Sequence, residues 1–195
     1  MLLEDWVQRY GVVVGQEFLR VDGFLNHRID PAFMEEVGLQ LLDRFANSNV
    51  SCVLTAEAAG NVIAYEVARR LGAKALYAKK GHTATMNRPY VRSIVSPTKG
   101  TTVELSISKD YLTKEERVLI VDDFLYRGDT SAALADMVLE SEASLVGFGF
   151  VIDKEFGEGR RKLACYQKPV VTLVSISSMD PETGDIVFAE AKEDR

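Results

Sequence analysis

The chain has 195 residues, which suffices for one domain with a sizeable hydrophobic core and is too short for two large domains. Its 23 lysine and arginine residues against 29 aspartate and glutamate residues give a net charge of −6, which argues against a protein whose main task is binding nucleic acid. No stretch approaches the roughly 18 uncharged apolar residues of a membrane span, and acids stand near the start where a secretion signal is basic. We therefore expect a cytoplasmic protein without a membrane partner. Cys52 and Cys165 lie in short apolar runs, a position typical of buried thiols.

Residues 1 to 45 precede the part of the sequence in which strand and helix patterns alternate, and we expect them to form a small hood over a binding face. The pattern at residues 2 to 10 indicates a helix, and the stretch from there to Leu25 is expected to be extended. Asp30 and Pro31 mark the start of a second helix, because aspartate is a preferred N-cap residue and proline suits the first helical position.

From residue 50 onward, short apolar runs alternate with helical patterns. The runs cover residues 50–55, 75–78, 118–121, 145–152 and 170–176, and the helical patterns cover 61–71, 130–141 and 158–166. Because this order implies a mainly parallel sheet flanked by helices, we predict an α/β fold that forms a single domain over residues 1 to 195. Ligands of such sheets bind beyond the carboxyl ends of the strands.

Residues 79 to 117 interrupt the alternation and predict a flexible arm. They are largely polar, and residues 102 to 108 alternate like one strand of an antiparallel ribbon. A long segment of this kind is usually a lid or an interaction arm. Lys79 and Lys80, at its start, either add positive charge to a bound anion or form an ordinary solvated surface.

The most informative segment covers residues 118 to 131. A buried strand leads into Asp122 and Asp123, followed by a turn containing Gly128 and the hydroxyl of Thr130, and then by a helix. Backbone N–H groups at a helix start can hold a phosphate group without any lysine. The two acids can accept hydrogen bonds from sugar hydroxyls or hold a hydrated cation, or they can simply cap the helix or solvate a loop.

This segment resembles the 5-phosphoribosyl-1-pyrophosphate (PRPP) motif of the type I phosphoribosyltransferases, in which four apolar residues precede two acids, two apolar residues and a glycine-containing phosphate loop. The resemblance implies the α/β fold of that family, Mg²⁺ bound with PRPP, and a homodimer. It assigns PRPP binding to Asp122, Asp123, Tyr126, Arg127, Gly128, Asp129 and Thr130. Tyr126 and Arg127 depart from the family pattern, in which small or neutral residues precede the glycine. Asp129 is a separate difficulty, because an acid beside a phosphate is unfavourable unless its side chain turns to solvent or pairs with Arg127.

Three further segments extend the resemblance. Residues 12 to 30 are similar to the N-terminal hood of the bacterial xanthine phosphoribosyltransferases, which implies that Leu19 and Asn26 contact the base. The segment formed by Glu57, Ala58, Ala59 and Gly60 resembles the family's pyrophosphate loop, although small residues in a tight turn also have a purely steric explanation. Lys154, at the end of a predicted strand, matches the base-contacting lysine, where the alternative is a solvated surface lysine.

The resemblance implies a purine salvage enzyme that joins xanthine to PRPP and yields xanthosine 5′-monophosphate and pyrophosphate. The alternatives are an enzyme of the same fold acting on adenine, guanine or hypoxanthine, and a PRPP-sensing regulator, which the acidic charge disfavours. Tyr126 stands where the hypoxanthine-guanine relatives carry an aspartate, so the general base is unassigned. His27 and His82 are assigned no metal or acid–base role.

Overall fold

The computed structural model describes residues 1–81, 86–95 and 100–189. The helices are α1 (Leu3–Tyr10), α2 (Pro31–Phe45), α3 (Gly60–Leu71), α4 (Asp129–Glu140) and α5 (Gly159–Leu163). The strands are β1 (Val12–Val14), β2 (Phe18–Arg20), β3 (Cys52–Ala56), β4 (Lys74–Lys80), β5 (Pro89–Val95), β6 (Thr102–Ser108), β7 (Arg117–Leu125), β8 (Ser144–Lys154), β9 (Val170–Met179) and β10 (Ile186–Phe188). His82 lies outside the described residues. None of the helices within those ranges is long and apolar enough to cross a membrane.

Eight of the strands form one sheet, in the order β10-β9-β8-β7-β3-β4-β6-β5. The five strands from β9 to β4 pair in parallel, whereas β10 at one edge and the β6-β5 ribbon at the other are antiparallel. The predicted α/β fold with a mainly parallel sheet is therefore confirmed. Since β3, β7 and β8 are parallel neighbours, their carboxyl ends meet at one edge of the sheet.

Local sequence signals explain where the helices flanking this sheet begin and end. The Asp30 side chain accepts hydrogen bonds from the backbone of Ala32 at 2.9 Å and of Phe33 at 3.3 Å, so α2 starts where the N-cap pattern predicts. Gly72 ends α3 with a φ of +68°, a left-handed conformation that favours glycine. One face of α2 then buries Phe33, Met34, Val37, Leu41 and Phe45 in the larger of two hydrophobic clusters.

Two expectations for local structure are wrong. Residues Asp22–Asn26 form one turn of π-helix rather than extended backbone, because this turn buries Phe24 and Leu25. The Phe24 ring then packs edge-on against Phe33 of α2, with the ring centroids 4.9 Å apart. Cys52 is buried as expected, but Cys165 is exposed, because it lies in a short 3₁₀ turn at the surface.

The segment expected to be an arm contains the predicted antiparallel ribbon. Strands β5 and β6 pair from Pro89 opposite Ser108 to Val95 opposite Thr102. Strand β6 also pairs with β4, so the described part of the ribbon continues the central sheet. Residues 82–85 and 96–99 of the segment lie outside the described ranges.

Candidate active site

A cavity of about 510 Å³ opens at the carboxyl ends of β3, β7 and β8, and the hairpin of β1 and β2 covers one side of it. Most of the residues singled out in the sequence line this cavity, although they come from five separate segments. They are Leu19, Asn26, Glu57, Ala58, Ala59, Lys80, Asp122, Asp123, Tyr126, Arg127, Gly128, Asp129, Thr130 and Lys154. Gly60 and Lys79 do not line it.

Asp122 and Asp123 lie within β7, which runs on past them to Leu125. The backbone N–H of Asp123 donates to Asp122 Oδ1 at 3.0 Å, and that of Phe124 donates to Asp123 Oδ1 at 3.0 Å. Burial among protein atoms, reinforced by the charge of Asp123, raises the pKa of Asp122 well above its ordinary value, while the nearby Lys80 ammonium acts in the opposite direction. The two neighbouring acids therefore differ, with Asp122 held toward its neutral form.

The turn after β7 brings backbone N–H groups to the cavity. Gly128 has a φ of +74°, and a Cβ at this position would stand 3.2 Å from the backbone of Gly159, so only glycine fits without strain. Within the described chain no side chain caps the start of α4, and Asp129, Thr130 and Ser131 all line the cavity. The N–H groups of this first turn are thus available to an anion.

The charge of Asp129 beside the candidate phosphate site is compensated by a partner that the sequence did not predict. Its carboxylate forms an ion pair with Lys162 on α5 and not with Arg127. Arg127 also lines the cavity.

The loop from Glu57 to Gly60 connects β3 to α3 beside the two acids. Glu57 Oε1 accepts a hydrogen bond from the backbone N–H of Lys80 at 2.6 Å, which ties the loop to the end of β4. The peptide bond between Glu57 and Ala58 is cis. Gly60 lies beneath the loop, where a Cβ would collide with the Thr55 side chain and stand 3.2 Å from Asp122 Oδ1. Its role is to let α3 start close to the sheet.

Lys79 and Lys80, at the end of β4, lie on opposite faces of the sheet, because successive side chains of a strand point to opposite faces. Lys80 lines the cavity with the two acids. Lys79 instead lines a second cavity of about 420 Å³, together with Ala75 and Tyr77 of the same strand face. The structure therefore does not bring Lys79 to the candidate site.

Lys154, at the end of β8, is buried to 7% exposure and is not a solvated surface lysine. Its Nζ donates to the backbone carbonyl of Glu17 at 2.6 Å and lies 4.5 Å from the ring centroid of Tyr126. The rings of Phe124 and Phe18 are 5.3 Å and 5.9 Å away. Burial lowers the pKa of Lys154, although the charges of Glu17 and Asp123 oppose that shift.

Asn26 connects the hood to the end of β7. Its Nδ2 donates to Asp123 Oδ2 at 3.0 Å, and this bond uses only one of the two N–H groups of the amide. Leu19, 7% exposed, lines the cavity from the same side. The hood thus brings an amide and an apolar side chain to the end of the cavity that Lys154 occupies.

The cavity is also lined by residues that were not predicted from the sequence, among them Glu17, Phe18 and Phe124. Glu17 and Phe18 reach the cavity only because the β1-β2 hairpin folds over it. Burial raises the pKa of Tyr126, and a hydrogen bond to the Glu17 side chain contributes to the same shift. Phe124 is one of the two apolar residues that follow the acids in the PRPP motif, so that motif is the sequence signal from which its place in the site could have been predicted.

The carboxylates of the cavity suit a magnesium ion that arrives with a ligand. Among the described residues, no three His, Cys, Asp or Glu side chains are grouped to hold a metal ion. Mg²⁺ bound to substrate phosphates usually takes only one or two carboxylates from the protein and keeps several waters. Asp123, at the cavity wall, is a donor of that kind. The donor set fits such an ion.

Comparisons with known proteins agree with this geometry. The model of the phosphoribosyl transferase domain family matches residues 34–177. The chain is 42% identical to the xanthine phosphoribosyltransferase of Heliobacterium modesticaldum, over 96% of this chain and 98% of that protein. It is 37% identical to the xanthine phosphoribosyltransferase of Bacillus mycoides, over 98% of each chain.

Solved structures show the same fold at lower identity. The adenine phosphoribosyltransferase of Giardia lamblia, in complex with 9-deazaadenine, superposes with a TM-score of 0.76 at 16% identity and covers 90% of this chain and 98% of its own. The adenine phosphoribosyltransferase of Rhodothermus marinus gives a TM-score of 0.73 at 23% identity, over 89% and 97% of the two chains. At these identities the likeness concerns the fold alone.

Proposed function

This chain belongs to the phosphoribosyltransferase family and, within it, to the xanthine phosphoribosyltransferases, and from that premise we propose how its cavity acts. The enzyme joins xanthine to the anomeric carbon of PRPP, which gives xanthosine 5′-monophosphate and pyrophosphate. One observation carries the proposal: the phosphate-loop turn, the two strand-end acids and the enclosed Lys154 line a single cavity. A phosphate, a ribose and a base held side by side need these three kinds of contact.

The donor end of the site is the start of α4 and the end of β7. The N–H groups around Gly128 and the hydroxyl of Thr130 hold the 5′-phosphate. Asp123 accepts a hydrogen bond from a ribose hydroxyl, and Asp122, held toward its neutral form, can donate as well as accept. The pyrophosphate lies against the loop at residues 57–60, where Lys80 supplies positive charge.

The base end of the site consists of Lys154 and the hood. The Lys154 ammonium donates to an acceptor atom of the oxopurine in place of the Glu17 carbonyl, and Asn26 reads the remaining edge. Adenine carries an amino group where the oxopurines carry an oxygen, so a lysine at that edge would bring two donors together. This arrangement supports an oxopurine as the base.

The chain contributes to the chemistry mainly by alignment and by electrostatic stabilisation. As pyrophosphate departs, an oxocarbenium-like ribosyl centre forms, so the base nitrogen must already lie beside the anomeric carbon. Mg²⁺, when bound with PRPP, stabilises the charge that develops on the leaving group. Backbone N–H groups of the 57–60 loop and Lys80 serve the same purpose, and the hood excludes water that would hydrolyse the donor.

Three further features complete the proposal. We infer a homodimer from the resemblance to relatives, and light scattering of the purified protein tests it. We also infer a cytoplasmic enzyme, which two free cysteines support. Mg²⁺ is inferred as the ion that accompanies PRPP, and loss of turnover on chelation, restored by added Mg²⁺, tests that inference.

The test of the reaction is nucleotide formation from PRPP and Mg²⁺ with xanthine, guanine, hypoxanthine or adenine in turn. We expect xanthine to give the highest kcat/KM, and xanthosine 5′-monophosphate to form together with stoichiometric pyrophosphate. A higher kcat/KM for another base would overturn the assignment of the base. Failure to form a nucleotide from any of the four would overturn the reaction.

A further inference from the structure

We propose that Lys162 is a positioning residue of the 5′-phosphate site, which it serves by neutralising Asp129 and holding that carboxylate away from the phosphate. The inference rests on the proposed function, because it takes the start of α4 as the place where the PRPP phosphate binds.

The charge of Asp129 is unfavourable for a phosphate bound at the start of α4. It is the first residue of α4, follows Gly128 directly and lines the cavity. An acid at this position suits an empty helix N-terminus, because it interacts favourably with the helix dipole. A phosphate that takes the same N–H groups is repelled by that acid. A counter-charge on Asp129 removes the conflict, and Lys162 supplies it through the ion pair.

The packing of α5 explains why Lys162 reaches this position. The backbone N–H of Gly159, the first residue of α5, donates to the carbonyl of Tyr126 at 2.7 Å. A Cβ on Gly128 would stand 3.2 Å from Gly159, so α5 starts directly against the phosphate turn. Lys162 follows about one helical turn later and therefore lies beside the start of α4.

Other contacts hold α5 in place independently of Lys162. Beyond α5, the hydroxyl of Tyr166 donates to Asp136 Oδ1 of α4 at 2.8 Å, and it also contacts the carbonyl of Ala132 at 3.0 Å. The side chains of Lys162 and Asp129 are 41% and 32% exposed, and ion pairs this exposed contribute little to folding stability. Removing the Lys162 charge is thus expected to change phosphate binding far more than it changes the fold.

The test compares Lys162→Met with Arg161→Met, a control that removes one positive charge from the same helix. Arg161 pairs with Glu158 and not with Asp129. At low ionic strength we expect Lys162→Met to raise the KM for PRPP by about 3- to 10-fold, with kcat and the KM for xanthine nearly unchanged. Binding of ribose 5-phosphate, measured by calorimetry, should weaken by a similar factor. Both effects should shrink in high salt, and Arg161→Met should show neither.

A second variant separates charge compensation from helix docking. Adding Asp129→Asn to Lys162→Met should return the KM for PRPP toward the native value, because the unpaired carboxylate is gone. The proposal is overturned if the double variant stays as poor as Lys162→Met, if Arg161→Met has the same effect, or if Lys162→Met leaves PRPP and ribose 5-phosphate binding unchanged. Thr130→Ala is the positive control: if it also leaves PRPP binding unchanged, the phosphate site itself is wrong, and the proposed function with it.

Discussion

Replacing Lys154 by methionine tests the base end of the site, because methionine keeps an unbranched apolar side chain of similar shape and lacks the ammonium. That ammonium donates a hydrogen bond to the Glu17 carbonyl at 2.6 Å and lies 4.5 Å from the Tyr126 ring centroid. A hydrogen bond to a charged group is worth about 1.5–3 kcal/mol. If the same ammonium donates to the base, its loss should lower kcat/KM for xanthine by about 10- to 150-fold.

The effect on folding should be much smaller. Lys154 is buried, so the substitution loses one hydrogen bond and the ring contacts but recovers the cost of desolvating a charge. We expect a net change within about 1 kcal/mol, which for a chain of 195 residues is a shift in Tm of about 2–4 °C at most.

The assay measures kcat and KM for xanthine and for PRPP separately, with Tm by calorimetry on the same samples. The KM for PRPP should stay within about twofold of the native value, and any weak adenine activity should suffer least. A loss of kcat/KM that follows a large fall in Tm, or a change confined to the KM for PRPP, would refute the reasoning. Lys154 would then have a structural role or belong to the donor end.

The remaining predictions concern the acids, the phosphate turn and the hood. Burial raises the pKa of Asp122, so between the ordinary pKa of aspartate and this raised pKa the native state binds more protons than the unfolded chain, and folding stability falls as the pH rises. Asp122→Asn should therefore raise the Tm near neutral pH, and this gain should vanish in acid. Asp123→Asn should instead weaken donor binding or turnover by about 1.5–3 kcal/mol, measured as kcat/KM for PRPP. Gly128→Val should raise the KM for PRPP strongly, because its φ of +74° and the nearby Gly159 leave no room for a side chain; an unchanged KM would remove this turn from the site. Asn26→Ala should change the order of preference among xanthine, guanine and hypoxanthine, and unaltered KM values for all three would contradict its role in reading the base.

The sequence by itself determined the helices and strands whose formation depends on hydrogen bonds between near neighbours in the chain or on a continuous apolar pattern. The start of α2 follows from Asp30, because capping involves only residues two and three positions away. The five parallel strands of the sheet follow from short apolar runs, and the order of strands and helices then limits the fold to a mainly parallel sheet. The turn at Gly128 was also predictable from the sequence, since the strand, turn and helix that form it are consecutive.

Only the tertiary structure decided which side chains meet. Lys154 bonds to Glu17, 137 residues away, and Asn26 bonds to Asp123, 97 residues away. Asp129 pairs with Lys162, 33 residues on, and not with the neighbouring Arg127. Such pairs depend on how the β1-β2 hairpin and α5 pack against the sheet. This packing is set by the burial of many apolar residues from distant segments at once, whereas a sequence pattern reports only the environment of its own segment.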